Sequence, residues 1–272
     1  MRITVKNKIN FQGIGLHSGE ESKIILHPYK KKGINFLRKK VRIPAYIDYK
    51  MDSRRGTILK RNSQQIETVE HLLSALYVLG IDDCLIEVVK GTEIPILDGS
   101  SYPFFHKIKD AGIEKKEGEK EVLSIKKKIV YRKKSVEIKA YPCKNYKINF
   151  LFDGTKFNVD NEKESVVVNK KNYENFSKAR TFGFWKEIEY LKKNNLARGA
   201  SLENVLIIRE GSPYKTDFRL ANELVKHKII DFIGDMALLG KKIKGEFVIK
   251  RSGHYHNGLF MKKIMEETNG FN

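Results

Sequence analysis

The sequence predicts an α+β fold of two similar domains, each a small β-sheet layered with α-helices. Three observations predict it. TVEHLLSALYVLG followed by IDDCLIEVVKG in the first half is echoed by LVKHKIIDFIGDMALLG followed by KKIKGEFVIKRSG in the second. Each unit reads as an apolar helix, a glycine placed to end it, and a strand. Between them, Ala111 to Lys128 is a charged stretch containing glycine, the composition of a linker, which divides the chain into 1–118 and 119–272. Finally, 272 residues suffice for one large domain or two small ones with a substantial core. The order helix, glycine, strand is common enough to recur without duplication. Here both helices also carry an imidazole near their start, His71 and His227. Two such units facing each other bring those imidazoles together, which places the expected site between the domains.

In chain order, Arg2 to Val5 and Ser22 to Leu26 read as short strands around the turn-rich loop GIGLHSG. Val69, Leu72, Leu73 and Leu76 then fit one helical face, which Gly80 ends, and Cys84 to Val89 reads as a strand. ILDGSSYPF is a second turn-rich loop. Past the linker, Val136 to Lys139 and Lys147 to Phe152 read as strands. ELVKHKIIDFIGDMALLG is the second helix, ended by Gly240, with a strand around Phe247 to Ile249.

That second helix carries the most specific local signal. Glu223, His227, Asp231 and Asp235 recur every fourth residue, which stacks them into one polar stripe. The flanking residues Leu224, Val225, Ile229, Ile230, Phe232, Ile233 and Met236 are apolar and call for burial. Buried carboxylates around an imidazole are costly unless compensated. A divalent metal compensates them, because His and Asp one turn apart can bind the same ion. The alternative is a solvated stripe of i,i+4 pairs, and spacing alone does not decide between the two.

The bulk numbers narrow the setting. At 40% hydrophobic and 32% charged the chain is globular rather than disordered. Met1 to Gly19 holds no long apolar run, so no signal peptide is expected. No stretch approaches the roughly 20 apolar residues of a membrane span. Cys84 and Cys143 make neither a disulfide framework nor a cysteine zinc site, which suits a reducing cytoplasm. The net charge of +20 is compatible with nucleic acid, an anionic membrane surface or a polyanionic substrate. Of the 53 basic residues only 12 are Arg, and the lysines are scattered, as in Lys30 to Lys32, Lys126 to Lys128, Lys241 and Lys242. Nucleic-acid surfaces lean on Arg, and no recognition motif accompanies this charge, so no nucleic-acid partner is expected.

A catalytic zinc site needs three protein ligands and one open position. His227 and Asp231 supply two, and His71 is the best third candidate because Glu70 sits beside it. An adjacent acid on the same helix start can take a proton from an attacking water. Taken alone, Glu70-His71 is equally a plain first helical turn with an acid at the positive dipole end.

Several motifs in order settle the choice. TVEHLLSALYVLGIDDCLIEV, EIPILDGSSYPF, KARTFGF, FRLANELVKHKIIDFIGD and SGHYHNG, with GIGLHSGE before them, resemble the zinc-dependent UDP-3-O-acyl-N-acetylglucosamine deacetylases of lipid A biosynthesis. The resemblance runs from about Gly13 to Gly258. It implies two similar α+β domains with the active site between their helical layers. It also implies zinc held by His71, His227 and Asp231, a donor set that accepts Fe²⁺ as well. The implied substrate is a UDP-linked, 3-O-acylated glucosamine, and the implied reaction is hydrolysis of its 2-acetamido group to release acetate. Within that chemistry Glu70 matches the general base. His254 matches the imidazole that, protonated, stabilises the oxyanion or protonates the leaving amine. Asp235 matches the carboxylate that orients it. Thr181 matches a hydroxyl donor to the developing oxyanion, and Lys228 a contact to the polar part of the substrate.

Residue physics leaves alternatives beside these roles. His256 lies two residues from His254, and only the family pattern prefers His254. Asp235 could be a buried acid satisfied by backbone groups. Phe182 could be core, although after Thr181 it is expected against the sugar. Arg219 and Glu223 read as a structural i,i+4 pair. His17 and Asp98 read as structural loop residues, with His17 near the cleft, and His27 and His106 show no partner pattern. The family also houses an acyl chain in an apolar passage formed by an insert, here FGFWKEIEYLKKNNLARGASLENVLII. Trp185, Ile188, Leu191 and Leu196 are spaced to line that passage or to be plain core. MDSRRGTILKRNSQQIE, with Arg54, Arg55 and Arg61, has no close match beyond its threonine. Phe152 is the candidate aromatic for the uracil base. The expected setting is cytoplasmic, as a monomer whose basic surface makes transient contact with the anionic inner membrane.

Overall fold

Two sheets with one topology form the frame of the protein. The computed structural model describes residues 1–53 and 55–269; Arg54 lies outside the described residues. The first sheet comprises β1 (Ile9–Ile14), β2 (Glu21–His27), β3 (Ile34–Arg38), β4 (Val41–Pro44) and β5 (Cys84–Lys90). Its order is β1-β2-β5-β3-β4, antiparallel throughout except for the β3–β5 pair. The second comprises β6 (Ile129–Lys133), β7 (Val136–Tyr141), β8 (Tyr146–Phe152), β9 (Glu162–Val167) and β10 (Lys242–Lys250). Its order is β6-β7-β10-β8-β9, antiparallel except for β8–β10. The echo seen in sequence is therefore one segment of a repeated five-strand unit. Alternation explains the strands: β7 buries Val136, Ile138 and Ala140 while the residues between them are partly exposed.

Helices complete each unit. α1 (Glu70–Leu79) precedes the central strand β5 and α2 (Tyr102–Ala111) follows it. In the second unit α3 (Lys170–Phe176), α4 (Ile188–Lys193) and α5 (Glu223–Met236) precede β10, and α6 (His254–Asn269) follows. Gly80 ends α1 in the left-handed region at φ 76°. Gly240 does the same at φ 66°, but one 3₁₀ turn, Ala237–Leu239, separates it from the end of α5.

α1 and α5 pack on each other, and a continuous hydrophobic core runs through both units. Gly234 makes the contact possible: a Cβ there would stand 2.1 Å from the carbonyl oxygen of Glu70. The expected strand Arg2–Val5 forms, but it pairs with Ile113–Lys116 rather than joining the first sheet. Val122–Ser124 then pairs in parallel with the start of β10. We propose the boundary between residues 118 and 119, where the chain passes from one pairing to the other. No described helix is long and apolar enough to cross a membrane.

Candidate active site

The polar stripe on α5 is buried. Glu223, His227, Asp231 and Asp235 are at most 2% exposed, which excludes a solvated row of ion pairs. The close approach of α1 and α5 brings His71 to the stripe. The Nε2 atoms of His71 and His227 lie 3.6 and 3.3 Å from Asp231 Oδ1, and the two rings meet edge-on with centroids 4.9 Å apart. Asp231 Oδ1 is buried and accepts no hydrogen bond among the described residues, a costly state for a carboxylate oxygen.

The neighbours favour ligation. His227 Nδ1 lies 3.1 Å from the Ala179 carbonyl, to which it donates in the tautomer that leaves Nε2 unprotonated toward Asp231. Burial pushes His227 down to about 3, against the pull of Asp231, so its ring is neutral as a metal ligand must be. Burial alone would raise Asp231; His227, Lys228 and His254 outweigh it and hold the carboxyl well below its usual range. Lys228 Nζ donates to the other oxygen, Oδ2, at 2.8 Å. An orphaned carboxylate oxygen facing two imidazole nitrogens is the donor set of a three-ligand transition-metal site.

A second group adjoins the first. Glu70, in the first turn of α1, accepts the Thr57 backbone N–H on Oε2 at 2.9 Å. His254, the first residue of α6, places Nδ1 3.0 Å from Asp235 Oδ2 and Nε2 3.7 Å from Asp231 Oδ2. Asp235 also accepts Asn257 Nδ2 at 2.7 Å and the Thr57 hydroxyl. Side chains, not backbone groups, thus satisfy this buried acid. Burial alone would lower His254, but Asp235 and Asp231 outweigh it and raise it to about 9. These carboxylates thus favour the imidazolium, in which both ring nitrogens donate.

These groups open onto a cavity of about 450 Å³. Glu70, His71, His227, Asp231 and His254 line one end, with Thr181, Phe182, Lys228 and Phe152 beside them. Lys228 Nζ sits 5.2 Å from the centroid of the Phe182 ring, and Phe182 stands T-shaped to Phe152 at 5.6 Å. Ile188, Leu191 and Leu196 form an apolar wall further on. A larger cavity of about 550 Å³, around Tyr77 and Tyr146, contains none of these titratable groups.

Over residues 2–266 the chain matches the family described as LpxC, UDP-3-O-acyl N-acetylglycosamine deacetylase. It belongs to that family. Several relatives carry the name UDP-3-O-acyl-N-acetylglucosamine deacetylase. The one from Coxiella burnetii is 39% identical over 271 residues, covering 96% of this chain and 89% of the relative. That from Thermodesulfovibrio yellowstonii is 36% identical, with 97% and 91% covered. That from Nautilia profundicola is 38% identical with the same coverage.

Against the expectations drawn from the deacetylase motifs, the structure makes several corrections. Trp185 does not line the cavity: α4 begins only at Ile188, and Trp185 is 40% exposed, packed on Tyr214. The pairing of Arg219 with Glu223 is not a side-chain pair. Only the Arg219 backbone N–H reaches Glu223, at 2.6 Å, while its guanidinium goes to Asp98. The partner of Glu223 is Arg180, whose Nε and backbone N donate to Oε1 at 2.9 and 3.0 Å. This bond and the Ala179–His227 contact pin the segment bearing Thr181 and Phe182 to α5. His27 and His106 do have partners. His27 meets Glu87 across β2 and β5 at 2.9 Å, and His106 meets Asp110 one turn on at 2.8 Å. The second was legible as an i,i+4 pair; the first depends on strand pairing.

Other placements separate near neighbours. His256 bonds Tyr131 at 2.9 Å outside the cavity, so His254 is the imidazole at the site. His17 reaches the cavity wall while its ring bridges the Arg55 carbonyl and the Ala197 N–H. Thr57, Asn257 and Arg180 are the residues the motifs did not single out. Asn257 stands inside SGHYHNG and Arg180 inside KARTFGF, whereas Thr57 is the one matching residue of a segment that otherwise has no close match, and it was given no role.

Proposed function

We propose that this protein hydrolyses the 2-acetamido group of a UDP-3-O-acyl-N-acetylglucosamine, releasing acetate and the free amine, a step of lipid A biosynthesis. The observation that carries the reading is the pairing of an orphaned Asp231 oxygen and two imidazoles with Glu70 and His254 in one cavity. Membership in the deacetylase family names the substrate class.

His71, His227 and Asp231 would hold a divalent ion, zinc by the donor set and Fe²⁺ as an alternative occupant. Such an ion supplies polarisation of the amide carbonyl and a more acidic water. The protein's own groups handle the protons. Glu70, with Oε2 held by Thr57, takes the proton from the attacking water as the new C–O bond forms. His254, cationic beside Asp235, offers its Nε2–H to the oxyanion and then to the departing nitrogen as the C–N bond breaks. The Thr181 hydroxyl, free of any other bond among the described residues, donates to the developing oxyanion. Lys228 and Phe182 hold the sugar and Phe152 the base.

The Ile188, Leu191 and Leu196 wall takes the acyl chain. Ile188→Trp should shorten the preferred chain, read from kcat/KM across an acyl series; an unchanged profile would remove the wall from this role. The lipid-bearing substrate and the +20 charge favour transient approach to an anionic membrane surface. Two unpaired cysteines suit a reducing cytoplasm.

The test is acetate release from a UDP-3-O-hydroxyacyl-N-acetylglucosamine by zinc-reconstituted and chelator-stripped protein. Activity returning with about one zinc per chain, the stoichiometry of a single three-ligand site, establishes reaction and metal together. A zinc-loaded protein inert on every acyl length would overturn the substrate.

A further inference from the structure

Thr57 is fully buried and belongs to neither the metal ligands nor the groups that exchange protons with substrate. Among the described residues it alone hydrogen-bonds to both Glu70 and Asp235. Its backbone N–H donates to Glu70 Oε2 at 2.9 Å. Its hydroxyl donates to Asp235 Oδ1 and lies 3.4 Å from His254 Nδ1. Its carbonyl accepts the Val69 N–H at 3.3 Å, which ties it to the residue before α1. The preceding Gly56, at φ 136°, lets the chain take the turn that brings all three bonds to one place.

We infer that Thr57 is a positioning residue that sets the spacing between the base Glu70 and the acid pair His254–Asp235. The inference rests on the roles proposed above for those groups. The two proton-handling groups sit on different helices, α1 and α6, and Asp235 on a third, α5. Helix packing alone leaves side-chain torsions free to differ by more than the tolerance of a proton transfer. Thr57 removes that freedom from both ends. Its N–H fixes one Glu70 oxygen, leaving Oε1 for the attacking water. Among the described residues its hydroxyl is the one donor to Asp235 Oδ1, whereas Oδ2 takes His254 and Asn257. Both Asp235 oxygens are thereby occupied, and the plane of the carboxylate, hence of the His254 ring, is determined.

The geometry separates this role from metal binding and substrate binding. Among the described residues Thr57 makes no hydrogen bond to His71, His227 or Asp231, nor does it line the cavity. Thr57→Val keeps the shape and the backbone N–H while deleting the hydroxyl. We expect kcat to fall about 10–100-fold, the usual effect of losing a partner behind an active group. KM and zinc stoichiometry should stay within about twofold, a margin far smaller than that loss. Thr57→Ser, which restores the hydroxyl, should recover most of kcat. Should Thr57→Val fail to fold, Thr57→Ala carries the same reading. A kcat for the hydroxyl-free variant within twofold of the parent overturns the proposal, as does joint loss of zinc and activity, or a Ser variant no better than Val. If the unmodified, zinc-loaded protein releases no acetate, the reading of the site fails before this one is reached.

Discussion

Among the described residues Asp231 Oδ1 is a buried carboxylate oxygen with no hydrogen bond, facing two imidazole nitrogens. Leaving such an oxygen unpaired costs several kcal/mol unless a cation completes it. At the residue scale this divides the neighbouring groups into those that hold the ion and those that move protons, and mutation should separate them. His227→Ala should lose the metal itself; full zinc occupancy by elemental analysis in that variant would contradict its assignment as ligand. Glu70→Gln should keep the metal and lose about 10²–10⁴ in kcat, the range for removing a general base. Equal turnover in parent and variant would remove Glu70 from that role. The acid carries a pH signature. His254, raised to about 9 by Asp235 and Asp231 against burial, must keep its proton to act. Activity therefore falls as pH rises through its pKa, and a bound divalent ion, by repulsion, brings that limb below 9. Asp235→Asn should bring it down further, by about 1–3 units, since an opposite charge in contact is removed. An alkaline limb that stays in place in Asp235→Asn would show that another group sets it.

At the scale of elements, the decisive contact is between α1 and α5. His71 reaches Asp231 only because Gly234 lets the helices close to backbone contact, with a Cβ there standing 2.1 Å from Glu70 O. Two effects compete in Gly234→Ala. Helix propensity would favour alanine by about 1 kcal/mol. The clash is with backbone, which cannot rotate away, and overpacking costs about 1–3 kcal/mol and occasionally more. The clash should win: urea unfolding should show net destabilisation, and zinc affinity should fall because the helices carrying its ligands are pushed apart. A variant more stable than the parent with full zinc affinity would refute the close-packing account. The same scale explains the corrections. Glu223 has the stripe spacing but sits at the start of α5, where Arg180 claims it. Trp185 opens a 3₁₀ turn, Trp185–Glu187, that precedes α4, so the α-helical spacing counted from it does not apply.

Across the whole molecule, a net charge of +20 sits on a surface whose lysines are spread rather than gathered. Many of them are engaged locally, as in Lys109–Glu174, Lys127–Glu267 and Lys147–Glu246. Exposed pairs of this kind contribute little to stability, about 0–1 kcal/mol each. Binding to random-sequence DNA should accordingly be feeble at about 0.15 M salt and fall steeply as salt rises. Micromolar affinity there, with a slope reporting many phosphate contacts, would mark a nucleic-acid surface.

The sequence by itself pointed to the α+β plan and to the helices that carry the proposed site, and the family resemblance of its motifs named the residues proposed for the metal and base. Those signals are local: a period of four on α5, a glycine at each helix end, and short strand-like runs such as Val136 to Lys139. Periodicity and end signals are legible because they depend on neighbours within one or two turns. The tertiary structure alone decided which groups stand behind them. Thr57 meets Asp235 across 178 positions of chain, and Arg180 meets Glu223 across 43. It also places His254, which the family pattern prefers, in the cavity wall and turns His256 to Tyr131. Such contacts are made by the packing of whole elements, and no pattern within a single segment encodes them.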